Sequence, residues 1–189
     1  MEQMNNTVNI ILVVTLVLVT SVLITFKLLP TKTSPQPVIQ PNGNLLITSA
    51  VLRNEGPIPT LYTCDGKNIN PPLSITGVPS GVKSLALIVD DPDAPLGTFT
   101  HWVVWNISSK TKEILENSIP EAAQQGNNSA GKNGYTGPCP GTKHRYFFTL
   151  YALDAILGLD GKATSKDLYA ATQGHIVAQT KLVGTYQRL

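Results

Sequence analysis

The stretch Asp90–Asn106, DDPDAPLGTFTHWVVWN, sets three carboxylates and two prolines between two apolar runs. The approach, Ser84–Val89 (SLALIV), reads as a strand buried on both faces, and so does the exit that begins at His101. A third run of the same kind spans Arg145–Leu153. Each is too short for an isolated helix and rich in β-branched or aromatic residues, so all three are read as core strands. Successive side chains of a strand alternate between faces. By that count Asp91 continues the row Leu85, Leu87, Val89, and His101 shares a face with Val103 and Trp105. His144 and Tyr146 likewise share a face with Phe148 and Leu150. If the three strands are neighbours, Asp91, Asp93, His101, His144 and Tyr146 gather at one rim of a sheet. Taken singly, Asp-Pro-Asp-Ala-Pro is a plain turn in which Asp accepts backbone N–H bonds and Pro fixes φ. A lone strand histidine is a structural residue, and Tyr146 is core. Three apolar rows each ending in an ionisable group make the functional reading the stronger one.

Strand and turn signals continue outward from this centre. Leu45–Leu52 opens the domain, Asn68–Pro72 is punctuation and Leu73–Ile75 is a short edge piece. Gln124–Gly141 (QQGNNSAGKNGYTGPCPG) carries five glycines and two prolines, so it is a long structured loop, a length that usually has a function. Thr164-Ser165-Lys166-Asp167 resembles a capping box with Asp in place of Glu. Leu168–Leu182 then supplies one helix, or two broken at Gly174. Strands first and helices last give a mainly β fold, an antiparallel β-sandwich with C-terminal helices.

The 189 residues have room for one domain and an appendage. With 42% apolar and 14% charged residues the chain buries a core and is not disordered. A net charge of +2 without a Lys/Arg cluster excludes a nucleic-acid footprint. Residues 1–7 form a short tail. Val8–Leu29 (VNIILVVTLVLVTSVLITFKLL) holds one charge, Lys27, and is long enough for a hydrocarbon core of roughly 30 Å. It lacks the basic leader and the A-x-A site of a cleaved signal peptide, so it is read as an uncleaved transmembrane anchor. Lys27 and Lys32 pull the domain toward the cytoplasm by the positive-inside rule. Single N-terminal anchors more often export the domain behind them, and an extracytoplasmic domain is expected. Pro30–Asn44 is a Pro-rich tether of roughly 30–40 Å at about 3.1 Å per residue, and the domain occupies residues 45–189.

Two cysteines, Cys64 and Cys139, make neither a disulfide framework nor a zinc site. They form one bridge in an oxidising compartment or stand as two separate buried thiols. Dinucleotide, Walker, HExxH and GxSxG motifs are missing, and Ser129 in NNSAG lacks the first glycine of the hydrolase elbow. Three N-x-S/T triplets occur, at Asn5, Asn106 and Asn127.

The ordered set D-P-D-A-P (Asp91–Pro95), H-W-V-V-W-N (His101–Asn106), G-P-C-P (Gly137–Pro140) and H-R-Y-F-F-T-L-Y-A-L-D (His144–Asp154) resembles the signature of the phosphatidylethanolamine-binding protein family. More narrowly it is similar to the prokaryotic Raf kinase inhibitor-like branch. Tyr62–Gly66, Asn70–Leu73, Gly134-Tyr135, Gly174-His175 and Gly184–Tyr186 add to the likeness, which runs from about Leu46 to Leu189. The resemblance implies a β-sandwich with C-terminal helices and an anion-accepting pocket at one end. Its pocket residues map onto Asp91, Asp93, His101, His144 and Tyr146, the set that alternation also gathers. Three departures stand out: Ile75 replaces a usual Trp, Asn128 replaces a common acid, and the Gly141–Lys143 link is short, placing Lys143 near the pocket.

The chemistry expected of such a site is recognition of a compact oxyanion by a non-catalytic, cofactor-free protein. Carboxylates beside a histidine raise its pKa and keep it cationic, and charge-assisted donors to phosphate are the strong kind. Tyr146 adds an O–H donor, and backbone N–H groups of Gly137–Thr142 offer a nest. The acids accept from an ammonium, so the partner is a small anionic or zwitterionic ligand. Two alternatives belong to other classes. Two histidines and an aspartate are a metal set suited to acid–base work. Some relatives block kinases or proteases, which makes a protease a candidate protein partner.

Overall fold

The computed structural model describes residues 44–188. The anchor and tether read over residues 8–44 lie outside the described residues, apart from Asn44. Among the described residues no helix is long and apolar enough to cross a membrane.

Two sheets form the domain. Strands β1 (Leu46–Thr48), β3 (Leu73–Thr76) and β6 (Glu113–Ile114) make a three-stranded sheet in the order β1-β3-β6. The other six are β2 (Gly56–Pro57), β4 (Ser84–Asp91), β5 (Phe99–Ser108), β7 (Gln124–Gln125), β8 (His144–Leu153) and β9 (Ile176–Tyr186), in the order β2-β9-β8-β4-β5-β7. Pairing is antiparallel throughout except for the two-residue β2–β9 contact, which is parallel. The Leu73–Thr76 strand is therefore central to its small sheet, not the edge piece expected.

Every residue of β4 is buried, and the reason is that both faces of the larger sheet are covered. On one face Leu85, Leu87, Val89, Trp102, Val104 and Phe148 pack against Ile47, Leu73, Ile75 and Ile114 of the smaller sheet. Ile75, where the family signature usually has Trp, is fully used in that layer. On the other face Ala86, Ile88, Val103, Trp105 and Leu153 are covered by Leu157, Ala163 and Leu168. Leu168 belongs to α1 (Ser165–Thr172), the one α-helix of the described residues, and is completely buried.

The capping box at α1 forms as expected: Asp167 N–H donates to Thr164 Oγ1, while Thr164 N–H donates to Asp167 Oδ2 at 2.8 Å. Beyond α1 the chain departs from the helical reading. Gly174, at φ +80°, takes a left-handed conformation that turns the chain out of the helix. Residues 176–186 then form β9 rather than more helix. Its apolar positions fit both periods over so short a run, and the β-branched Ile176, Val177, Thr180, Val183 and Thr185 suit a pleated surface. Ala178 and Leu182 point into the intersheet core, and the whole strand zips onto β8 from His144↔Tyr186 to Leu153↔Ile176.

Candidate functional site

The site stands where β4, β5 and β8 end. Asp91 and Tyr146 arrive by simple alternation, continuing the rows Leu85–Leu87–Val89 and Phe148–Leu150 on the intersheet face. His101 does not. Val103 and Trp105, the residues with which strict alternation groups it, lie in the opposite layer, under α1. The β4–β5 register explains the difference: Val89 faces Trp102, but Asp90 faces Thr100, so His101 is an extra residue without a partner. This β-bulge switches the face of everything beyond it and turns the imidazole toward Asp91 and Tyr146, the kind of re-aiming that bulges supply beside sites.

The result is a cavity of about 430 Å³ lined by Asp91, Phe99, His101, His144 and Tyr146, with Ala94-Pro95 on one lip and Thr136–Thr142 on the other. His144 Nδ1 donates to Asp91 Oδ2 at 2.7 Å. The second oxygen, Asp91 Oδ1, accepts from Asp93 N–H at 2.8 Å and holds the D-P-D-A-P turn. His101 Nδ1 donates to the Thr136 carbonyl at 2.6 Å, and Thr136 N–H donates back to the His101 carbonyl at 2.9 Å. The His101 and Tyr146 rings meet edge to face with centroids 5.2 Å apart, and Phe99 packs on the other side of His101 at 4.7 Å.

Electrostatics follow from this burial. The expectation that acids keep a pocket histidine cationic fails at His101: burial pushes its pKa below the ordinary histidine value, outweighing the Thr136 bond and the Asp91 charge that act the other way. Burial, reinforced by Asp91 and Asp93, raises the Tyr146 phenol, so it stays an O–H donor. Among the described residues only Asp90 Oδ1 and Trp105 Nε1 are sealed polar side-chain atoms without a partner. Nε2 of His101, Nε2 of His144 and Oη of Tyr146 have no hydrogen-bond partner among the described residues, and all three residues line the cavity.

Asp93 is placed elsewhere. Its carboxylate forms a fork with Arg145, Nη2 to Oδ1 at 2.6 Å and Nε to Oδ2 at 2.9 Å, and the pair borders a separate groove with Phe147 and Lys181. Arg145 holds the Asp93 carboxyl down at about 2. Lys143 lines that groove and another beside it, not the cavity. Asp90 faces the opposite side of the sheet and accepts from Tyr169 Oη at 2.8 Å.

The second wall, Thr136–Thr142, is pinned from four directions. Cys64 and Cys139 are joined in a disulfide across 75 residues, which decides between the bridge and the two thiols. Cys64 N–H donates to Pro138 O at 3.0 Å, and Gly137 N–H donates to Asn68 Oδ1 at 2.6 Å. Asn128, where the family signature commonly has an acid, donates to Gly134 O and Thr136 Oγ1 and so holds the loop by its amide. A Cβ on Gly137 would lie 2.5 Å from Tyr62 O and 2.8 Å from Asn68 Oδ1, so only glycine fits. Of the backbone nest expected here, Gly137 N–H is engaged with Asn68, while Cys139, Gly141 and Thr142 line the cavity. Sequence reasoning missed Phe99, Thr136 and Asn68; the left-handed φ of Asn68, +58°, has no signal in a stretch already read as a turn. Asn106, the sequon within β5, sits at a second bulge, where its amide both donates to Leu157 O and accepts from Leu157 N–H.

Among the described residues no three His, Cys, Asp or Glu side chains converge to hold an ion. The ring nitrogen of each cavity histidine nearest a protein oxygen is already hydrogen-bonded to it.

Comparison with known proteins gives a consistent picture. A family model described as phosphatidylethanolamine-binding protein matches residues 48–187. A UPF0098 protein of Methanothermobacter thermautotrophicus is 50% identical over 141 residues, 71% of this chain and 93% of the relative. A UPF0098 protein of Pyrococcus horikoshii is 48% identical over 154 residues, 76% of this chain and 77% of the relative. Among solved structures, a phosphatidylethanolamine-binding protein homologue from Chlamydia trachomatis superposes with TM-score 0.74 at 42% identity, covering 77% of this chain and 98% of that one. E. coli YbcL, described as a new member of the mammalian PEBP family, gives 0.73 at 27% identity, covering 77% and 99%.

Proposed function

Since this chain belongs to the phosphatidylethanolamine-binding protein family, we propose that it is a non-catalytic binding protein whose cavity takes the phosphoryl group of a small anionic or zwitterionic ligand. The observation that carries this reading is the convergence of the Asp91–His144 pair, His101 and Tyr146 on the lining of one cavity. Tyr146 presents O–H, His144 has its second ring nitrogen left over from the bond to Asp91, and Gly141 and Thr142 line the same space. No Lys or Arg lines the cavity and Asp91 is its one carboxylate, so it suits one compact ligand rather than a polyanion.

Calorimetric titration of the purified chain with inorganic phosphate and with phosphoethanolamine tests the reading. Saturable binding at one site is expected, weakened at least tenfold by His144→Gln and several-fold by Tyr146→Phe. No heat and no chemical-shift change with either ligand would refute it.

The reading extends to placement. A single anchor over residues 8–29 and an extracytoplasmic domain are supported by the apolar run and by the Cys64–Cys139 disulfide, a bond favoured in oxidising compartments. Protease accessibility of the domain in intact cells tests it. Regulation of a protein partner such as a protease has one supporting feature, the fully exposed Leu96 on the lip beside Pro95. A panel of secreted serine proteases tests that arm.

A further inference from the structure

We propose that a second hollow, beside β7 and bordered by the loops that carry Asn68, Asn117 and Asn133, binds one ring of a neutral carbohydrate. It measures about 360 Å³ and shares no lining residue with the cavity at the ends of β4, β5 and β8. The inference therefore stands apart from the phosphoryl reading.

The chemistry of the lining comes first. Asn68, Asn70, Asn117, Ser118, Gln125 and Asn133 border the hollow, and no Asp, Glu, Lys, Arg or His does. Ile69, Ile119 and Tyr135 supply apolar surface, and the Tyr135 ring is braced edge to face on Trp102 with centroids 5.8 Å apart. Amide and hydroxyl side chains without a charge lack the charge-assisted bonds that hold an ion strongly. An uncharged ligand rich in hydrogen-bonding groups suits them better.

Three of the amides are locked at one end, which fixes what the other end offers. Asn68 Oδ1 accepts from Gly137 N–H at 2.6 Å, and Gln125 Oε1 accepts from Trp102 Nε1–H at 3.1 Å. Turning either amide over would set NH₂ against N–H, so Asn68 Nδ2 and Gln125 Nε2 are the ends left to donate. Asn133 Nδ2 donates to Gln125 O at 3.0 Å and to Gly161 O at 2.6 Å, so its Oδ1 is left to accept. None of these three ends has a hydrogen-bond partner among the described residues, and neither has the side-chain amide of Asn117. Asn70 differs: it is buried, donates to Pro71 O and Leu115 O, accepts from Ser118 N–H, and so holds the frame.

A sugar ring matches this set. Each of its hydroxyls both donates and accepts, so neighbouring hydroxyls accept from Asn68 and Gln125 and donate to Asn133, while the C–H face of the ring lies against the apolar surface. Because the protein already orients these amides, binding does not have to order them, which removes part of the entropic cost. The volume is near the low end for small-molecule sites and takes one ring, with the rest of a longer glycan left in solvent. Glycerol lacks the C–H face, and a peptide main chain lacks groups that donate and accept at once. Both are weaker matches.

The test is a saturation-transfer NMR titration of the purified full chain, kept free of detergents with sugar headgroups. The probes are glucose, galactose, mannose and N-acetylglucosamine, with glycerol and a neutral dipeptide amide for comparison. At least one sugar is expected to bind about fivefold or more tightly than either comparison compound, and inorganic phosphate is expected not to displace it. Gln125→Glu keeps the acceptor for Trp102 and replaces the NH₂ donor by a carboxylate oxygen, so a loss of about tenfold for that sugar is expected. Asn117→Gly removes an amide that no other described residue engages, at a φ of +52° that glycine adopts freely, so the fold is untouched and a loss of about threefold or more is expected. No binding by any of the four sugars, displacement of the sugar by phosphate, equal binding of glycerol or the dipeptide amide, or affinities unmoved in both variants would each overturn the proposal.

Discussion

Replacing both Cys64 and Cys139 with alanine removes the bridge without adding a thiol, and its cost can be worked from the fold. The bond joins the segment after the 3₁₀ turn Thr60–Tyr62 to the cavity wall, its ends separated by 75 positions in sequence. In the chain-entropy model a loop of that length, left uncrosslinked, gains about 15 cal/mol/K in the unfolded state, or about 4.5 kcal/mol at 25 °C. Native strain and residual unfolded structure lower that figure, so about 2–4.5 kcal/mol is expected. For a domain of this size the urea slope is about 2–3 kcal/mol/M, which moves the midpoint down by roughly 1–2 M. Tryptophan fluorescence reports it well, because both tryptophans, Trp102 and Trp105, are buried in opposite layers of the core. A midpoint shift under about 0.3 M with an unchanged slope would refute the reasoning. Phosphate affinity is expected to fall with stability, since Cys139 lines the cavity. Binding that stays intact in the double variant would show that the Asn68, Asn128 and Cys64 backbone bonds suffice to hold the wall.

Three further outcomes rest on the same geometry. Gly137→Ala drives a Cβ into Tyr62 O and Asn68 Oδ1; a loss of about 1–3 kcal/mol, of the size of other overpacking changes, is expected in urea titration, together with weaker phosphate binding. Tyr169→Phe leaves the buried Asp90 carboxyl without its 2.8 Å donor, so thermal unfolding is expected to show a loss of about 1–3 kcal/mol with cavity binding unchanged. Stability against pH carries three signs. The folded His101 has a depressed pKa, so its contribution is complete above the unfolded value of about 6.5 and is lost as pH falls below it. Asp93, at about 2 against 3.8 unfolded, is lost only between those values and, on an exposed ion pair, contributes under about 1 kcal/mol. Asp90 is raised by burial, so it acts in the opposite direction and favours the fold in acid. Between pH 7 and 5 the wild type is expected to lose more stability than His101→Gln, and equal losses would contradict the buried neutral ring.

How much of this was legible in the sequence depends on whether local rules decided the outcome. Buried β4 and β8 announce themselves as apolar runs, and alternation alone brings Asp91, His144 and Tyr146 to one face. The capping box at Thr164 and the break at Gly174 are local chemistry and are visible as such. His101 shows where counting stops: the extra residue of the bulge is set by pairing with β4, so strict alternation puts the ring in the wrong layer. Asp93 differs for a similar reason, because the Pro92 turn hands it to Arg145 on the outer side of β8. Ile176–Tyr186 could not be separated from helix by period over so short a run; the open edge of β8 decides it. The cavity's second wall depends on bonds between Asn68, Cys64, Asn128 and Thr136, distant in sequence, and no spacing rule encodes them.

The most direct measurement is two-dimensional ¹H–¹⁵N correlation of the imidazole rings during a phosphate titration. The chain has three histidines, and His175, paired with Asp154 on the surface at 2.8 Å, serves as the control. Without ligand, His101 is expected to show hydrogen on Nδ1 and a bare Nε2. On titration the Nε2 signals of His101 and His144 should move together along one saturation curve while those of His175 stay in place. Hydrogen on Nε2 of free His101, or ring signals of His101 and His144 that ignore phosphate or respond no more than His175, would contradict the cavity described above.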